Sequence, residues 1–295
     1  MTEPKEKHLF APGHSGCPGC APALTLRTVL DVLGKDIIVV NATGCMEIIS
    51  SKYPLSAWRV PYIHSIFENS PAVASGVAAA LEAKGNYHTK VVVIAGDGGL
   101  YDISFGALSG LAERNDNVLV VCYDNENYAN TGIQKSGATP YGAGTTTSPV
   151  GKKISGKQSE RKPLVEIMAA HNIPYSASAS IGFIADLKRK VMKAKEMNGT
   201  RFIDVHAPCA LGAGFDGMFS VALAKKAVQS GLWFLFEYEN GEFKLNFEPK
   251  ELIDPKDYLF AQKRFKHLNE EQLNHIRNQA VKNYEKMKKR AECEN

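Results

Sequence analysis

The cysteine pair in the segment HSGCPGC, Cys17 and Cys20, is the first place where residue types and spacing permit chemistry. Two thiols separated by two residues occur in redox disulfides, in zinc sites and in iron–sulfur sites. The remaining cysteines lie far along the chain, at Cys45, Cys122, Cys209 and Cys293. The pair alone therefore leaves three chemistries open.

A second set of polar groups follows two short apolar runs. The run VVVIA is followed by GDGG, which carries Asp97, and the run NVLVVCY is followed by DNENYANTG, which carries Asn125 and Asn127. Glycines after a buried strand let the backbone approach a phosphate, and a helix beginning near Asp102 would direct amide hydrogens towards it. A carboxylate, a side-chain amide and a nearby backbone carbonyl form an oxygen set that suits Mg²⁺. These groups predict a diphosphate and magnesium site, the alternative being two polar turns that cap helices.

The elements that position these groups alternate between strands and helices. Short continuous apolar runs predict buried strands, and apolar residues three or four apart predict helices. Strands are predicted at 37–41, 91–95, 117–123, 175–179 and 201–207, and helices at 21–33, 71–83, 103–113, 163–171, 183–197 and 218–230. A loop is predicted at 132–160, a hairpin turning at Asn240-Gly241 within 233–248, and a long basic amphipathic helix at 268–292. This alternation predicts an α/β fold, a mostly parallel sheet with helices on both faces.

The predicted sheet collects the candidate ligands at one edge. Cys45, Asp97, Asn125 and Cys209 each follow a predicted strand within a few residues. Ligands of open α/β sheets bind beyond the carboxyl ends of the strands. We therefore expect every candidate ligand except the opening cysteine pair at this edge.

The composition and net charge of the chain argue against several classes of protein. The chain has 295 residues, 44% of them hydrophobic, and a net charge of +4, which does not argue for nucleic-acid binding. No run approaches the roughly 18 apolar residues of a membrane span, and no signal segment opens the chain. We expect a cytoplasmic protein that binds neither nucleic acid nor membrane, in which the cysteines serve metal or redox chemistry rather than structural disulfides.

The GDG motif followed by an asparagine resembles the diphosphate-binding signature of thiamine diphosphate enzymes. The motifs resemble one branch more closely, the β subunit of 2-oxoacid:ferredoxin oxidoreductases, the pyruvate synthase family. Residues 8–215 carry the resemblance, in FAPGHSGCPGC, NATGCMEI, AWRVPYIHSIFEN, GDGGLYDISFGALSGL and YDNENYANTGIQ. It implies a thiamine diphosphate-binding fold over residues 1–232 and a C-terminal hairpin and helical arm, 233–295, that contacts partner subunits.

The resemblance also implies which residues hold the cofactors. One [4Fe–4S] cluster is implied at Cys17, Cys20, Cys45 and Cys209, and Mg²⁺ at Asp97, Asn125 and Asn127. The residues implied to bind thiamine diphosphate are Cys45, Gly96, Asp97, Gly98, Gly99, Asn125, Asn127, Tyr128 and Asn130. Asn130 and His64 are the candidate catalytic residues, Cys122 is expected in the core, and Cys293 has no expected partner. Pro22 departs from the family pattern and removes an amide donor near the second cysteine.

The implied activity is oxidation of a 2-oxo acid with coenzyme A to an acyl-CoA and CO₂, with electrons leaving on ferredoxin. Pyruvate is the first candidate substrate, and 2-oxoisovalerate, 2-oxoglutarate, indolepyruvate and oxalate are alternatives. A non-redox thiamine diphosphate decarboxylase or synthase and an electron-transfer module without catalysis are further alternatives. Zinc is less favoured because zinc sites more often show a second short-spaced pair.

The resemblance implies that the chain acts with other subunits. Thiamine enzymes need a glutamate beside the pyrimidine ring, whereas Glu47 and Glu68 lie in the same domain as the diphosphate site. We expect an α subunit to supply that glutamate, and γ and δ subunits to supply ferredoxin-like parts. We also expect the helix at 268–292 to clamp a partner, because its apolar stripe would otherwise be exposed.

Overall fold

The computed structural model describes residues 8–293, so residues 1–7 of the predicted first domain and 294–295 of the predicted arm lie outside the described residues. The strands are β1 (Ile37–Ala42), β2 (Tyr62–Ser65), β3 (Lys90–Gly96), β4 (Val118–Asp124), β5 (Tyr175–Ser180), β6 (Arg201–His206), β7 (Phe236–Glu239) and β8 (Glu242–Leu245). Across 8–293 they form one eight-stranded sheet in the order β2-β1-β3-β4-β6-β5-β7-β8.

Six of these strands, β1 to β6, pair in parallel, and the β7–β8 hairpin adds two antiparallel strands beside β5. The hairpin turns at Asn240 and Gly241, which both have positive φ, as a two-residue hairpin turn requires. The prediction of a mostly parallel sheet is confirmed. The predicted boundary at 232–233 falls between strands of one continuous sheet.

Helices cover both faces of the sheet. They are α1 (Ala21–Leu33), α2 (Cys45–Ser50), α3 (Ser70–Ala83), α4 (Phe105–Glu113), α5 (Leu164–Ala169), α6 (Ile184–Glu196), α7 (Ala210–Ala213), α8 (Ser220–Gln229), α9 (Lys256–Leu259) and α10 (Glu270–Cys293). On β3, Val92 and Ile94 pack in the core beneath α1 and α6, whereas Val91 and Val93 pack beneath α3 and α4. Successive strand residues face opposite sides, so burial on both faces explains the uninterrupted apolar runs.

Two elements differ from the sequence prediction at the edge that bears the site. Strand β2 was not predicted, because it is a short edge strand in which only Ser65 is buried and no apolar run marks it. The helix expected to begin near Asp102 instead begins with a π-helical turn, Gly98–Ile103, directly after Asp97, and α4 follows. The first helical amides therefore lie closer to the GDGG motif than predicted.

The apolar face of α10 packs on its own chain. Leu273, Ile276 and Ala280 are 2%, 7% and 3% exposed, and Leu273 and Ile276 belong to a core with Trp233 and Tyr258. The expectation that this stripe is exposed without a partner is therefore wrong, although contact of the arm with other subunits stays a prediction. No helix in the described range has both the length and the apolar content to cross a membrane.

We predict that Ile276→Ala lowers the free energy of unfolding by about 2–4 kcal/mol, because the substitution leaves a cavity in this core. Val281→Ala on the same helix is the control, since Val281 is 47% exposed; we expect a change within about 0.5 kcal/mol. Denaturant unfolding of both variants measures the difference. Equal losses would show that α10 does not dock as described.

Candidate functional site

The carboxyl ends of β3 and β4 bring Asp97 and Asn125 together. Asp97 follows β3 directly, is fully buried, and accepts a hydrogen bond at Oδ1 from the Asn125 backbone N–H, at 3.3 Å. Its Oδ2 accepts from the Ser136 hydroxyl at 2.5 Å. Two groups 28 residues apart in the sequence are thus in direct contact.

The environment of Asp97 favours the presence of a cation. Burial raises the pKa of Asp97 well above its usual range, and the neighbouring Asp124 carboxylate raises it further, whereas Ser136 and Asn125 lower it. A divalent ion beside this carboxylate would offset both the burial and the like-charge repulsion. The charge at this position therefore fits a metal site.

The loop after β4 presents a compatible set of oxygen donors. The Asn127 backbone N–H donates to Asn125 Oδ1 at 3.2 Å, and Asn127 Nδ2 donates to the Asn125 carbonyl at 2.9 Å. Asn127 Oδ1 is buried without a hydrogen-bond partner. A buried amide oxygen rarely stays unpaired, so an oxygen-bound cation such as Mg²⁺ fits this loop.

Tyr128 packs into the space that Gly98 leaves free. A Cβ at Gly98 would lie 2.5 Å from the Tyr128 ring, and the Tyr128 hydroxyl donates to the Gly98 carbonyl at 2.9 Å. The same hydroxyl lies 3.1 Å from Asp102 Oδ2, and the ring stacks on Phe67 at 5.9 Å. Glycine at 98 is therefore required by packing within the chain, a reason that the sequence alone did not reveal. At Gly99 an added Cβ would make only ordinary contacts.

The four cysteines of the predicted cluster come from three segments. Cys45 begins α2 after β1, and Cys209 caps α7 after β6, where its Sγ accepts from the Gly212 N–H at 3.2 Å. The loop that carries Cys17 and Cys20 lies beside the Cys209 segment because Gly19 packs directly on Gly217. The approach is so close that a Cβ at Gly19 would lie 2.2 Å from the Gly217 carbonyl oxygen. The Ser220 hydroxyl stabilises this contact, because its Oγ donates a hydrogen bond to the Gly19 carbonyl at 2.7 Å.

Burial and neighbouring thiols both raise the pKa values of two of these cysteines. Burial raises the pKa of Cys45 to about 12, and the thiols of Cys209, Cys20 and Cys17 add to the effect. Burial likewise raises the pKa of Cys20 to about 11, opposed by the Ala23 N–H and reinforced by Cys209 and Cys17. Within residues 8–293, no group of three or more histidine, cysteine or acidic side chains converges on a single ion.

The remaining two cysteines lie elsewhere. Cys122 is fully buried on β4, within the core beneath α3 and α4, as expected from its apolar strand. Cys293 is exposed at the end of α10.

The candidate catalytic residues lie at the same edge of the sheet. His64 is on β2, where its Nε2 is 2.8 Å from the Thr43 hydroxyl and its Nδ1 is 3.9 Å from Glu47 Oε1. Its side chain is 43% exposed. Asn130 is exposed in the turn that follows Tyr128. Both side chains are therefore accessible beside the loops that carry Cys45 and Asn125.

A buried charge network behind the loop was missed by sequence reasoning. Glu126, between the two predicted metal-binding asparagines, accepts a hydrogen bond from Arg264, and Asp124 accepts one from Arg161. A cavity of about 390 Å³ adjoins this network, and neither Asp97 nor a cysteine lines it. The only signal in the sequence was a charged residue inside an otherwise polar motif, and nothing marked its partner 138 residues away.

Comparisons with known proteins match these observations. A model of the thiamine pyrophosphate enzyme C-terminal TPP binding domain matches residues 42–205. A solved 2-oxoglutarate:ferredoxin oxidoreductase from Magnetococcus marinus superposes with a TM-score of 0.58 at 22% identity, over 72% of this chain and 70% of that chain, which supports the fold.

Curated relatives extend over nearly the whole chain. Pyruvate synthase subunit PorB of Methanothermobacter thermautotrophicus is 51% identical, with 92% of this chain and 94% of the relative aligned. The subunit of the same name from Methanocaldococcus jannaschii is 46% identical, over 94% and 95% of the two chains. Ketoisovalerate oxidoreductase subunit VorB of Pyrococcus furiosus is 42% identical, over 99% and 96%. With such identity along its length, the chain belongs to the family of β subunits of 2-oxoacid:ferredoxin oxidoreductases that includes PorB and VorB.

Proposed function

We propose that this chain binds thiamine diphosphate, Mg²⁺ and one [4Fe–4S] cluster in an enzyme that converts pyruvate, coenzyme A and oxidised ferredoxin to acetyl-CoA, CO₂ and reduced ferredoxin. The proposal rests on one observation. The Asp97–Asn125 pair and four neighbouring thiols lie at the same edge of the sheet. The names of the relatives that are 51% and 46% identical favour pyruvate. The VorB relative at 42% identity makes 2-oxoisovalerate the second candidate.

Asp97, Asn125 and Asn127 are proposed to hold Mg²⁺ and, through it, the diphosphate. The raised pKa of the buried Asp97 carboxylate and the unpaired Asn127 Oδ1 both support a cation at this position. The amides that open the Gly98–Ile103 turn supply further donors towards a diphosphate. Gly96, Gly98, Gly99 and Tyr128 are proposed to bind thiamine diphosphate beside this position.

When bound, thiamine diphosphate supplies the electron sink that carbon–carbon cleavage beside a keto group requires. The residues of this chain orient the cofactor and the substrate. Asn130 and His64 are proposed to contact the 2-oxo acid, because both are accessible at the edge where Cys45 and Asn125 lie. The hydrogen bond between Thr43 and His64 Nε2 holds the imidazole in place.

Cys17, Cys20, Cys45 and Cys209 are proposed to bind the cluster. A single metal ion needs its ligands to converge on one point, whereas in a cubane cluster each thiolate binds its own iron and the sulfurs stay apart. The mutual effect of these thiols on the pKa of Cys45 supports a site that the four share. Binding iron also offsets the high thiol pKa values of Cys20 and Cys45, because the coordinated thiolate is stabilised.

Other subunits are proposed to complete the site. Glu47 accepts a hydrogen bond from Ser51 at 2.8 Å and Glu68 is exposed, and both belong to the domain that carries the diphosphate site. The glutamate beside the pyrimidine ring is therefore proposed to come from an α subunit, with γ and δ subunits supplying ferredoxin-like parts. Exposed apolar side chains around β2 support a subunit contact there: Ile48, Tyr53, Leu55 and Ile66 are 48%, 95%, 74% and 56% exposed. The cytoplasm is the proposed location.

We predict that Cys17→Ala, Cys20→Ala, Cys45→Ala and Cys209→Ala each lower the iron content of anaerobically purified protein, because each removes one of four ligands. Cys122→Ala is the matched control, since its buried thiol lies in the apolar core. Iron per chain and the visible absorbance that bleaches on reduction measure the outcome. Full iron in the Cys209→Ala protein would remove that residue from the ligand set.

We predict that Asp97→Asn abolishes Mg²⁺-dependent binding of thiamine diphosphate while leaving the iron content unchanged, because the amide cannot neutralise the cation. Asp204→Asn is the control: Asp204 is also buried, at 1% exposure, and accepts a hydrogen bond from the Tyr101 hydroxyl. Calorimetric titration of both variants in the assembled complex provides the comparison. Near-normal cofactor affinity in Asp97→Asn would refute the assignment of this metal ligand.

We predict that the isolated chain, reconstituted with cluster, Mg²⁺ and thiamine diphosphate, does not reduce a one-electron dye with any 2-oxo acid, because it lacks the pyrimidine-side glutamate. The complex with its partner subunits should act on pyruvate with a higher kcat/KM than on 2-oxoisovalerate. Assays of both preparations against the two acids test the proposal. Comparable turnover by the isolated chain would contradict the need for an α subunit, and a preference for 2-oxoisovalerate would replace pyruvate as substrate.

A further inference from the structure

The loop that carries the proposed metal ligands contains a strained residue. Glu126, between Asn125 and Asn127, has φ +66°, in the left-handed region that residues with a Cβ seldom adopt. Its backbone is held on both sides: its N–H donates to Asp124 Oδ1 at 2.8 Å, and its carbonyl accepts from the Thr139 hydroxyl at 2.7 Å. Such a conformation persists only where surrounding contacts enforce it.

The side chain of Glu126 is anchored as firmly as its backbone. Glu126 is 3% exposed, and its carboxylate accepts hydrogen bonds from Arg264 Nη2 and, at 3.4 Å, from the Tyr258 hydroxyl. His206 Nε2 lies 3.5 Å from the other oxygen. Arg264 is itself 7% exposed, and its Nε donates to Gln262 at 2.9 Å.

Arg264 connects the metal loop to the segment that bears Cys209. It lies in the turn Lys263–Phe265, which packs on the end of α7: the Lys263 N–H donates to the Gly214 carbonyl at 3.3 Å. Cys209 caps the other end of that short helix. The Arg264 carbonyl also accepts from the Gly144 N–H at 2.9 Å, which ties the 132–160 loop to the same point.

We propose that the buried Glu126–Arg264 pair positions the metal-binding loop, so that Arg264, a residue of the C-terminal arm, fixes the orientation of Asn125 and Asn127 without touching the cofactor. This inference rests on the proposed function of the loop. The pair holds the one left-handed residue between two ligands, and it ties that residue to a rigid turn on a different part of the chain.

A purely structural ion pair would behave differently from a positioning pair. Loss of one partner leaves a buried charge and destabilises the fold, whereas replacing both partners by neutral groups removes that penalty. The double replacement should therefore recover stability in either case. Only if the pair positions the loop should metal affinity stay low after stability has recovered.

The test uses the assembled subunit complex with Glu126→Gln, Arg264→Met and the Glu126→Gln/Arg264→Met double variant. Mn²⁺, which substitutes for Mg²⁺ and is visible by electron paramagnetic resonance, is titrated in the presence of thiamine diphosphate. Thermal unfolding without cofactor is measured on the same samples. We expect each single variant and the double variant to bind Mn²⁺ about 10–100-fold more weakly, as loss of residues that orient metal ligands commonly does, although the double variant regains thermal stability.

Glu237→Gln is the matched control. Glu237 is a buried carboxylate, 1% exposed, that accepts from Arg189 at 3.1 Å and from Tyr175 at 2.5 Å, on β7 and away from the metal loop. It should lose thermal stability but keep Mn²⁺ affinity. Affinity within twofold of the wild type in all three test variants, or affinity that recovers with stability in the double variant, would overturn the proposal. Failure of the wild-type complex to bind Mn²⁺ with thiamine diphosphate would instead overturn the proposed function.

Discussion

The register of the parallel strands is the constraint on which the site depends. Gly96 on β3 lies opposite Tyr123 on β4, and Asp124 on β4 lies opposite His206 on β6, so the three strands end level with one another. Asp97 and Asn125 directly follow these ends, and Cys209 comes three residues after His206. A shift of one residue in the β3–β4 pairing would separate the Asp97 carboxylate from the Asn125 N–H, and a shift in either pairing would turn buried side chains outward. Continuous burial of β3 and β4 on both faces holds that register.

Charge buried behind this edge has to be compensated within the chain. The Asp97 carboxylate accepts hydrogen bonds from Ser136 and the Asn125 N–H. The Asp124 carboxylate pairs with Arg161, and the Glu126 carboxylate pairs with Arg264. Ionised groups in a dry interior cost several kcal/mol each unless they are paired and hydrogen-bonded. Of these carboxylates, Asp97 has no cationic partner among the described side chains. The lack of a cationic partner for Asp97 and the unpaired Asn127 Oδ1 are the two observations that support the proposed Mg²⁺ site.

Much of this arrangement was predictable because it is local. The helix Ala21–Leu33, the strands that carry Asp97 and Asn125, and the hairpin at Asn240-Gly241 follow from apolar periodicity and turn chemistry. Pro22 occupies the first turn of α1, where a missing N–H costs no helical hydrogen bond.

The contacts that were not predicted join segments that are far apart in the sequence. Gly19 packs on Gly217 only because neither residue has a side chain, and no periodic pattern records that two glycines will meet. The stripe on α10 was correctly identified as apolar, but sequence alone could not distinguish a partner from the chain's own core as its cover. Glu126 and Arg264 neutralise each other's buried charge, and that burial exists only in the folded chain.

If Asp97 holds Mg²⁺ and Cys45 holds a cluster iron, as proposed, the metal of the diphosphate site and the iron–sulfur cluster lie beside each other at one edge of the sheet. Electron paramagnetic resonance of the reduced complex, loaded with thiamine diphosphate and either Mn²⁺ or Mg²⁺, tests this directly, because a paramagnetic ion accelerates the spin relaxation of a neighbouring cluster. This arrangement predicts faster relaxation of the cluster signal with Mn²⁺ than with Mg²⁺, and no difference in the Asp97→Asn variant. Identical relaxation with both ions bound to the wild-type complex would contradict it.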